Sequence, residues 1–266
     1  MKQKTKSFLY SFAPDILNLY QAINNRRYFK KRYNNFQNNL TSSLFPQNNI
    51  SVLFGPFKGM KYINEVVWGS ITPKWLGSYE CELHSVIEEI IKIGYDTIID
   101  VGCAEGYYAV GMAFRIPQAY IYAYDTDFLS RKQVRRLIKL NNLESRICVK
   151  KFCSHNEIEK IARNSTLIIC DIEGFERELL NPIKCQILKK IDILVEVHEG
   201  FGKPLTINLL KERFQESHLI QEIDAQSRHS WIKDNEEKIH INSKILSLAT
   251  EESRSNGQKW LFMKRK

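Results

Sequence analysis

The stretch that decides the fold is "TIIDVGCAEGYYAVGMAF", Thr97 to Phe114. Its first part, "TIID", has the short apolar character of a buried strand. The next part, "VGCAEG", places Gly102 and Gly106 four positions apart, and the apolar "YYAVGMAF" that follows predicts a helix. The stretch therefore predicts a strand, a tight turn and a helix, the first unit of an open α/β sheet that binds its ligand at the carboxyl ends of the strands.

The rest of the chain continues this alternation. Strand-like runs are predicted at 97–101, 119–124, 146–152, 166–170 and 191–198, and helical segments near 106–115, 128–142, 155–163 and 175–190. A helix near 205–216, a strand near 218–224 and a last strand at "QKWLFMKRK" complete the pattern. Short apolar strands that alternate with helices predict a mostly parallel sheet covered on both faces.

The chain is predicted to have three parts. Residues 1–50 form a basic helical arm with a linker, 51–76 form a hairpin-like lead-in, and 77–266 form the main domain. Near the start of that domain, the helical period in "GSYECELHSVIEEIIKIG" ends at Gly94. Residues 226–257 are polar and lack clear periodicity, which predicts an insertion or a long loop.

The net charge of +9 is concentrated near the N-terminus, because residues 1–50 carry eight Lys or Arg against the single Asp15. Their densest part, "NNRRYFKKRYNNF", interleaves aromatic and cationic side chains, a composition that can bind nucleic acid or an anionic membrane surface. A single helix through the arm would mix its apolar and cationic faces, so we expect a break near Asn24 and Asn25. We expect a solvated or weakly docking arm rather than a dedicated nucleic-acid site.

Composition also predicts the kind of protein. With 266 residues, 43% of them hydrophobic, the chain can bury one large core, and no apolar run approaches the ~20 residues that span a bilayer. The six cysteines form no CxxC pair and most lie in apolar runs, so we expect neither disulfides nor a zinc cluster. We therefore expect a cytoplasmic protein.

The glycine turn and an acid one strand later predict the ligand. Gly102 and Gly106 do not make the G-x-G-x-x-G pattern that brings backbone against a pyrophosphate. The segment "IYAYDTD" carries Asp125 at the end of the next strand, about twenty residues further on, where a carboxylate can accept both hydroxyl protons of a ribose. Together these features predict a ribose-bearing ligand without a pyrophosphate.

These motifs resemble those of class I S-adenosylmethionine-dependent methyltransferases, with "DVGCAEG" matching the first motif and Asp125 the ribose-binding acid. Within that superfamily, "CDIEGFERELL" and "ILVEVHE" resemble the FkbM-like methyltransferases and their pattern D-[VI]-E-G-x-E. The resemblance spans about Gly77 to Glu199. It implies a Rossmann-like α/β sheet of seven strands, with six parallel and the last, near "KWLFMK", inserted antiparallel.

The same resemblance implies S-adenosylmethionine as cofactor and a set of residues around it. Near the methionine and ribose it places Asp100, Gly102, Glu105 and Gly106. It gives the ribose diol to Asp125 and the border of the adenine to Cys153 and Ser154. Tyr79 and Glu80, in "GSYE", resemble an upstream element that lies near the cofactor in similar proteins.

Polar residues on two neighbouring strands are the catalytic candidates. Asp171 and Glu173 follow "TLIIC", and Glu196 and His198 lie in "ILVEVHE", where buried carboxylates are costly unless paired or functional. We expect Asp171 or His198 to take the acceptor proton, histidine being the better base near neutral pH. Glu173 and Glu196 are expected to position the substrate or a catalytic partner. Glu176 falls in a first helical turn and is interpreted as structural. The four candidates could also hold a divalent metal, but no closely spaced ligand motif supports one, and a metal-free site is favoured.

Missing motifs narrow the choice of acceptor. The [DN]-P-P-[YF] pattern of base amino-methyltransferases is replaced by "DIEG", and the Pro-Cys dipeptide of cytosine-carbon enzymes does not occur. Oxygen is therefore the expected acceptor atom, and the FkbM-like resemblance implies a hydroxyl on a sugar, glycan or secondary metabolite. Two alternatives stay open: an RNA ribose methyltransferase that uses the basic arm, and a catalytically silent protein that binds S-adenosylmethionine.

Overall fold

The computed structural model describes residues 36–47, 49–65, 67, 69–199, 205–252 and 258–266. The chain divides into two compact units, Met1–Asn49 and Ile50–Lys266. In the first unit residues 36–44 are helical, and the predicted break near Asn24 and Asn25 lies outside the described residues. The sheet and every candidate site residue belong to the second unit. The division into arm, lead-in and main domain at residues 50 and 76 stays a prediction.

A seven-stranded sheet forms the centre of the second unit, in the order β3-β2-β1-β4-β5-β7-β6. Its strands are β1 (Thr97–Val101), β2 (Tyr120–Tyr124), β3 (Ile147–Lys150), β4 (Thr166–Cys170), β5 (Asp192–Val197), β6 (His218–Asp224) and β7 (Lys259–Arg265). The first five are parallel to one another, and β7 lies antiparallel between β5 and β6. This confirms the predicted Rossmann-like sheet with six parallel strands and an antiparallel last strand.

The register brings the carboxyl ends of the inner strands to one edge of the sheet. Val101 on β1 lies opposite Tyr124 on β2 and Cys170 on β4. The chain runs outward from β1 to β3 and then returns to β4 on the other side of β1. Strand order therefore reverses between β1 and β4, which is where open α/β sheets bind ligands.

Helices connect and cover the strands. They are α1 (Thr72–Leu76), α2 (His84–Ile93), α3 (Tyr107–Arg115), α4 (Phe128–Leu140), α5 (His155–Ile161), α6 (Glu176–Leu179), α7 (Thr206–Phe214), α8 (His229–Asn235) and α9 (Ser243–Ala249). Short 3₁₀ turns occupy Cys81–Leu83, Gln186–Lys190 and Glu236–Lys238. In the part of the chain that the structure describes, none of the helices is both long enough and apolar enough to cross a membrane.

The inner strands are buried on both faces, as a parallel sheet covered by helices requires. Ile99, Ile168 and Ile193 share one core cluster with Ile158 of α5 and Phe214 of α7. Every residue of β4 and β5 is buried. Polar side chains in such strands are stable when other polar groups satisfy them.

The predicted helix at 175–190 is wrong as a continuous helix. It divides into α6, which ends at Leu179, and the 3₁₀ turn at Gln186–Lys190. Pro182 has no backbone N–H to continue the helical hydrogen bonds. The side chain of Asn181 instead accepts the N–H groups of Ile183 and Lys184 at 3.0 and 3.4 Å and turns the chain.

Residues 226–257, predicted as an insertion or a long loop, contain two short helices. Each of them, α8 and α9, has seven residues. Seven residues make about two helical turns, too few to give a clear apolar period in the sequence. Asn242 starts α9 as its N-cap and accepts the N–H of Lys244 at 2.9 Å.

The lead-in reverses direction and then enters α1. Ser51 pairs antiparallel with Lys61, and the N–H of Val52 donates to the carbonyl of Met60 at 2.9 Å. Further along, the indole N–H of Trp75 in α1 donates to the carbonyl of Ile63 at 2.9 Å. The lead-in is thus part of the same compact unit as the sheet.

Candidate active site

A cavity of about 900 Å³ lies at the carboxyl ends of the inner strands. Val101 and Tyr124 line it at the ends of β1 and β2, and Asp171 follows β4. Glu196 of β5 contributes a buried carboxylate to the same wall. This volume suits a ligand of small-molecule size held among a few polar groups.

The turn after β1 has the backbone geometry that its glycines allow. Gly102 and Gly106 have φ of 84° and 99°, in the left-handed region. The N–H groups of Gly102 and Cys103 both donate to the carbonyl of Tyr124, at 2.9 and 3.0 Å. A Cβ added at Gly102 would overlap the backbone oxygen of Asp171, so this turn touches the segment that follows β4. Glycine is required at 102 by close approach as well as by conformation.

Asp125 lies at the end of β2 and is fixed by two backbone groups. One carboxylate oxygen accepts the N–H of Ala104 at 2.9 Å, and the other accepts the N–H of Asp127 at 2.8 Å. Burial raises the pKa of Asp125, while these two hydrogen bonds act against the rise. The side chain lines the cavity, and each carboxylate oxygen has a further lone pair for a ligand hydroxyl.

Cys153 and Ser154, predicted beside the adenine, have different positions. Cys153 lines the cavity, and burial raises the pKa of its thiol to about 12, so it remains a neutral, apolar contact. Ser154 is the N-cap of α5, and its hydroxyl accepts the N–H of Glu157 at 3.3 Å. Sequence reasoning missed Phe152, which lines the cavity beside Cys153 with a half-exposed ring, although its place directly after the third strand was a signal.

Asp100 and Glu105 are both buried, but they do different things. Asp100 borders a cavity of about 30 Å³ under the turn together with Asp171. Burial raises its pKa to about 8, and the charge of Asp171 adds to the rise. Glu105 pairs with Lys74 of α1 and accepts the hydroxyl of Tyr62 at 2.8 Å. Glu105 therefore anchors the lead-in to the turn.

Tyr79 and Glu80 lie close to the turn as well. Tyr79 lines the cavity, with the ammonium of Lys74 4.7 Å from its ring centroid. Glu80 has φ of 47° and is fully buried, and its carboxylate accepts the hydroxyl of Tyr108. The N–H of Glu80 donates to Glu252 at 3.1 Å. The upstream "GSYE" element thus contributes one cavity wall through Tyr79 and supports another through Glu252.

The four catalytic candidates meet at His198. Its Nε2 atom lies 3.5 Å from an oxygen of Glu173, 3.7 Å from one of Glu196 and 3.8 Å from one of Asp171. Among the described residues that line the cavity are Asp171, Glu173 and Glu196. His198 is less exposed than Asp171, with 15% against 33% of the side chain accessible. The structure thus brings the predicted group together around one imidazole.

Glu176 has a contact that the sequence reasoning missed. One of its carboxylate oxygens accepts the N–H groups of Ile172 and Gly174 at 3.2 Å each, which fits the predicted structural role. The same oxygen lies 2.9 Å from Nδ1 of His198. The signal was the final acid of "DIEGFE", three residues after Glu173.

The electrostatics of His198 differ from those of a histidine in water. Burial alone would lower its pKa, but the hydrogen bond with Glu176 and the charges of Asp171 and Glu173 outweigh burial and raise it. A raised pKa favours the imidazolium form, which cannot accept a proton. Asp171 also lines the cavity directly.

The segment between β6 and β7 reaches the cavity at Glu252, which Arg228 holds in place. Arg228 donates to both carboxylate oxygens of Glu252, at 2.8 and 2.6 Å, and to Glu82 at 2.6 Å. Glu252 and Gln258 line the cavity. Neither residue lies in a recognisable motif, so this wall of the cavity could not be predicted.

No protein-family model matches the chain, and no curated protein matches it. Among solved structures, the chain is similar to a candidate rRNA methylase from Clostridium thermocellum, with 13% identity, a TM-score of 0.46 and coverage of 69% of this chain and 95% of that one. It is also similar to an S-adenosylmethionine-dependent O-methyltransferase from Thermotoga maritima, with 13% identity, a TM-score of 0.44 and coverage of 68% and 63%. A candidate O-methyltransferase from Klebsiella pneumoniae has 10% identity, a TM-score of 0.43 and coverage of 71% and 80%. Likenesses this distant carry no information on the substrate of this chain.

Proposed function

We propose that this protein is an S-adenosylmethionine-dependent methyltransferase that methylates a hydroxyl oxygen. The observation that carries the proposal is the pairing of two polar sites in one cavity. Asp125, fixed by the glycine turn, lies in its wall, and Asp171, Glu173 and Glu196 line the same cavity. One site suits a ribose, and the other suits an acceptor that must lose a proton.

The contacts of "DIEGFE" support the narrower FkbM-like assignment. This motif supplies Asp171, Glu173 and Glu176, and all three contact His198 of "ILVEVHE". The two motifs that carry the resemblance therefore build one cluster. For that family the acceptor is a hydroxyl on a sugar, glycan or secondary metabolite, and we propose the same class here.

The residues present fit the cofactor at several points. The oxygens of Asp125 would accept the ribose hydroxyls, Gly102 would let the backbone approach the ligand, and Cys153 would border the adenine with a neutral thiol. When bound, the cofactor would supply an electrophilic methyl group on its sulfonium. Asp100 and Glu105 would support the turn, since both are buried and border the cavity of about 30 Å³.

The reaction needs alignment and one proton transfer. The acceptor oxygen would take the methyl group, and the electron pair of the carbon–sulfur bond would stay on sulfur. We propose that the hydroxyl proton passes to Asp171, the cavity-lining member of the Asp171–His198 pair, with Glu173 and Glu196 positioning the acceptor. Glu176 acts through His198, whose ring it holds in place.

Titration of S-adenosylmethionine by calorimetry tests the cofactor site. Asp125→Ala should weaken binding by about 1.5–3 kcal/mol, the usual contribution of hydrogen bonds to a charged group. NAD is the control ligand, and we expect it to bind far more weakly. Unchanged affinity in Asp125→Ala, or equal binding of NAD, would contradict the proposed site.

The acceptor is tested with cofactor labelled in the methyl group and a fractionated cell extract. We expect a labelled product that survives mild alkali, because methyl ethers resist alkaline hydrolysis and methyl esters do not. Label released by alkali would contradict a hydroxyl acceptor. Treating the labelled extract with ribonuclease is the matching control. If the label is then released as small, soluble fragments, the acceptor is RNA, which would favour the RNA ribose alternative.

The cytoplasmic location of the protein and a weak contact of its basic arm with an anionic membrane surface stay predictions.

A further inference from the structure

The ring of His198 is held so that one nitrogen faces a group of carboxylates. Its Nδ1 atom lies 2.9 Å from Glu176, whose side chain is fully buried. Among the described residues, Nε2 of His198 is shielded from solvent and has no hydrogen-bond partner. A buried polar atom of this kind normally has a partner, such as an ordered water or a bound ion.

The spacing around Nε2 suits a shared cation. The nearest oxygens of Glu173, Glu196 and Asp171 lie 3.5, 3.7 and 3.8 Å away, beyond normal hydrogen-bond distance. Two atoms that each lie about 2.0–2.3 Å from one metal ion are separated by roughly 3–4 Å. Ligand atoms of Asp171, Glu196 and His198 all lie within 4.8 Å of one another.

The contact with Glu176 is a second, independent indication. Histidines that bind metals almost always donate their other ring N–H to a carboxylate or carbonyl, which fixes the tautomer and the ring orientation. With a cation bound, which opposes the imidazolium form, the proton of His198 would lie on Nδ1, toward Glu176, and the Nε2 lone pair would face the cation. The same tautomer would leave Nε2 unable to donate to those acids.

We propose that Asp171, Glu196 and His198 bind a divalent cation such as Mn²⁺ or Mg²⁺ at the acceptor side of the cavity. Two carboxylates and one imidazole are a suitable donor set, and three protein ligands leave open positions for an acceptor oxygen and water. The position of the acceptor rests on the proposed function. A hydroxyl bound to the cation would lose its proton more readily. With Asp171 and His198 as ligands, that proton would pass to Glu173, which lines the cavity.

Binding of Mn²⁺ to the full-length protein, stripped of metal and measured by electron paramagnetic resonance, tests the site without any methyl transfer. We expect one equivalent to bind to the wild type. Glu196→Gln and His198→Ala remove ligands, and each should weaken binding at least tenfold. Glu176→Gln, a positioning change, should weaken it roughly 10–100-fold. The exposed Glu144→Gln is the matched control and should bind like the wild type.

Folding of each variant is checked by thermal melting, and the exposed Glu173→Gln gives a variant in the same cluster with little risk to the fold. Asp171, Glu196 and His198 are sufficient for the site, so Glu173→Gln should keep most of the Mn²⁺ affinity. Absence of Mn²⁺ and Mg²⁺ binding to the wild type, or binding that the ligand variants leave unchanged, would overturn the metal site.

The metal and the proposed function can fail separately. Full methyl transfer after exhaustive chelation would refute the cation and leave the methyltransferase intact. Mn²⁺ binding that follows the expected order of variants, in a protein that does not bind S-adenosylmethionine, would support the cation and refute the methyltransferase.

Discussion

Gly102→Ala is the substitution whose effect the structure defines most sharply. Gly102 has φ of 84°, and a Cβ at this position would overlap the backbone oxygen of Asp171. The same Cβ would lie 2.7 Å from the carbonyl carbon of Asp171 and 3.1 Å from Cγ2 of Ile172. Since the obstacle is mostly backbone, a side-chain rotation cannot relieve it. The turn after β1 or the segment after β4 must move.

Two contributions set the expected magnitude. A non-glycine residue in the left-handed region costs about 1–2 kcal/mol. Steric overlap in a packed site adds about 1–3 kcal/mol. Gly69 separates the two contributions, because it has φ of 69° and no atom of the described residues lies within 4 Å of its added Cβ. We expect Gly69→Ala to lower the free energy of unfolding by about 1–2 kcal/mol, and Gly102→Ala by about 2–5 kcal/mol.

Urea denaturation followed by circular dichroism measures both losses. Calorimetry with S-adenosylmethionine then reports the second consequence, because a displaced turn also displaces the Ala104 N–H that holds Asp125. We expect Gly102→Ala to lose measurable affinity and Gly69→Ala to keep more of it. Equal destabilisation by the two variants would refute the close approach between Gly102 and Asp171.

Glu105→Gln should lower the free energy of unfolding by about 3–5 kcal/mol, because it leaves the buried ammonium of Lys74 without its charge partner. Glu178→Gln breaks the exposed pair with Lys184 and should change the free energy of unfolding by less than about 1 kcal/mol. Urea denaturation measures both variants, and equal losses for Glu105→Gln and Glu178→Gln would contradict the burial of the Lys74–Glu105 pair. Burial lowers the pKa of His218 in the folded protein, so the imidazole binds a proton more readily in the unfolded chain. The contribution of His218 to the free energy of unfolding is therefore full above pH ~6.5 and is lost as the pH falls below that value. The drop in melting temperature from about pH 7.5 to 5.5 should be smaller in His218→Gln than in the wild type, and an unchanged slope would show that His218 does not contribute.

The fold was predictable because its main signals are local. The bounds of β1 and β6 match the predicted 97–101 and 218–224. β1 is a short apolar run that ends in a glycine turn. The acid at 125 follows a strand whose end could be read in the same way. These features depend on residues that are close together in the sequence.

The meeting of Asp171 and His198 was predictable, because each follows one of two neighbouring parallel strands, but other contacts between distant parts of the chain were not. His198 and Glu176 are separated by 22 positions, and Arg228 and Glu252 by 24. The chain between the two members of each pair forms whole helices or strands, so the contact depends on how those elements pack. Glu105 shows the same limit, because its partner Lys74 comes from a lead-in helix with no motif of its own.

The segment from Asp171 to Glu176 is held from both sides, and this places limits on where substrate choice can come from. The close approach to Gly102 fixes its start, and the bonds from Ile172 and Gly174 to Glu176 fix its end. Glu173 has φ of 54°, a conformation that costs a non-glycine residue about 1–2 kcal/mol, and its side chain lies 3.5 Å from Nε2 of His198. A segment this constrained cannot adapt to different acceptors. If the proposed function is right, we therefore expect the choice of acceptor to depend on the other wall of the cavity. That wall contains Glu252, which Arg228 holds in place and which lies outside the segment from Asp171 to Glu176.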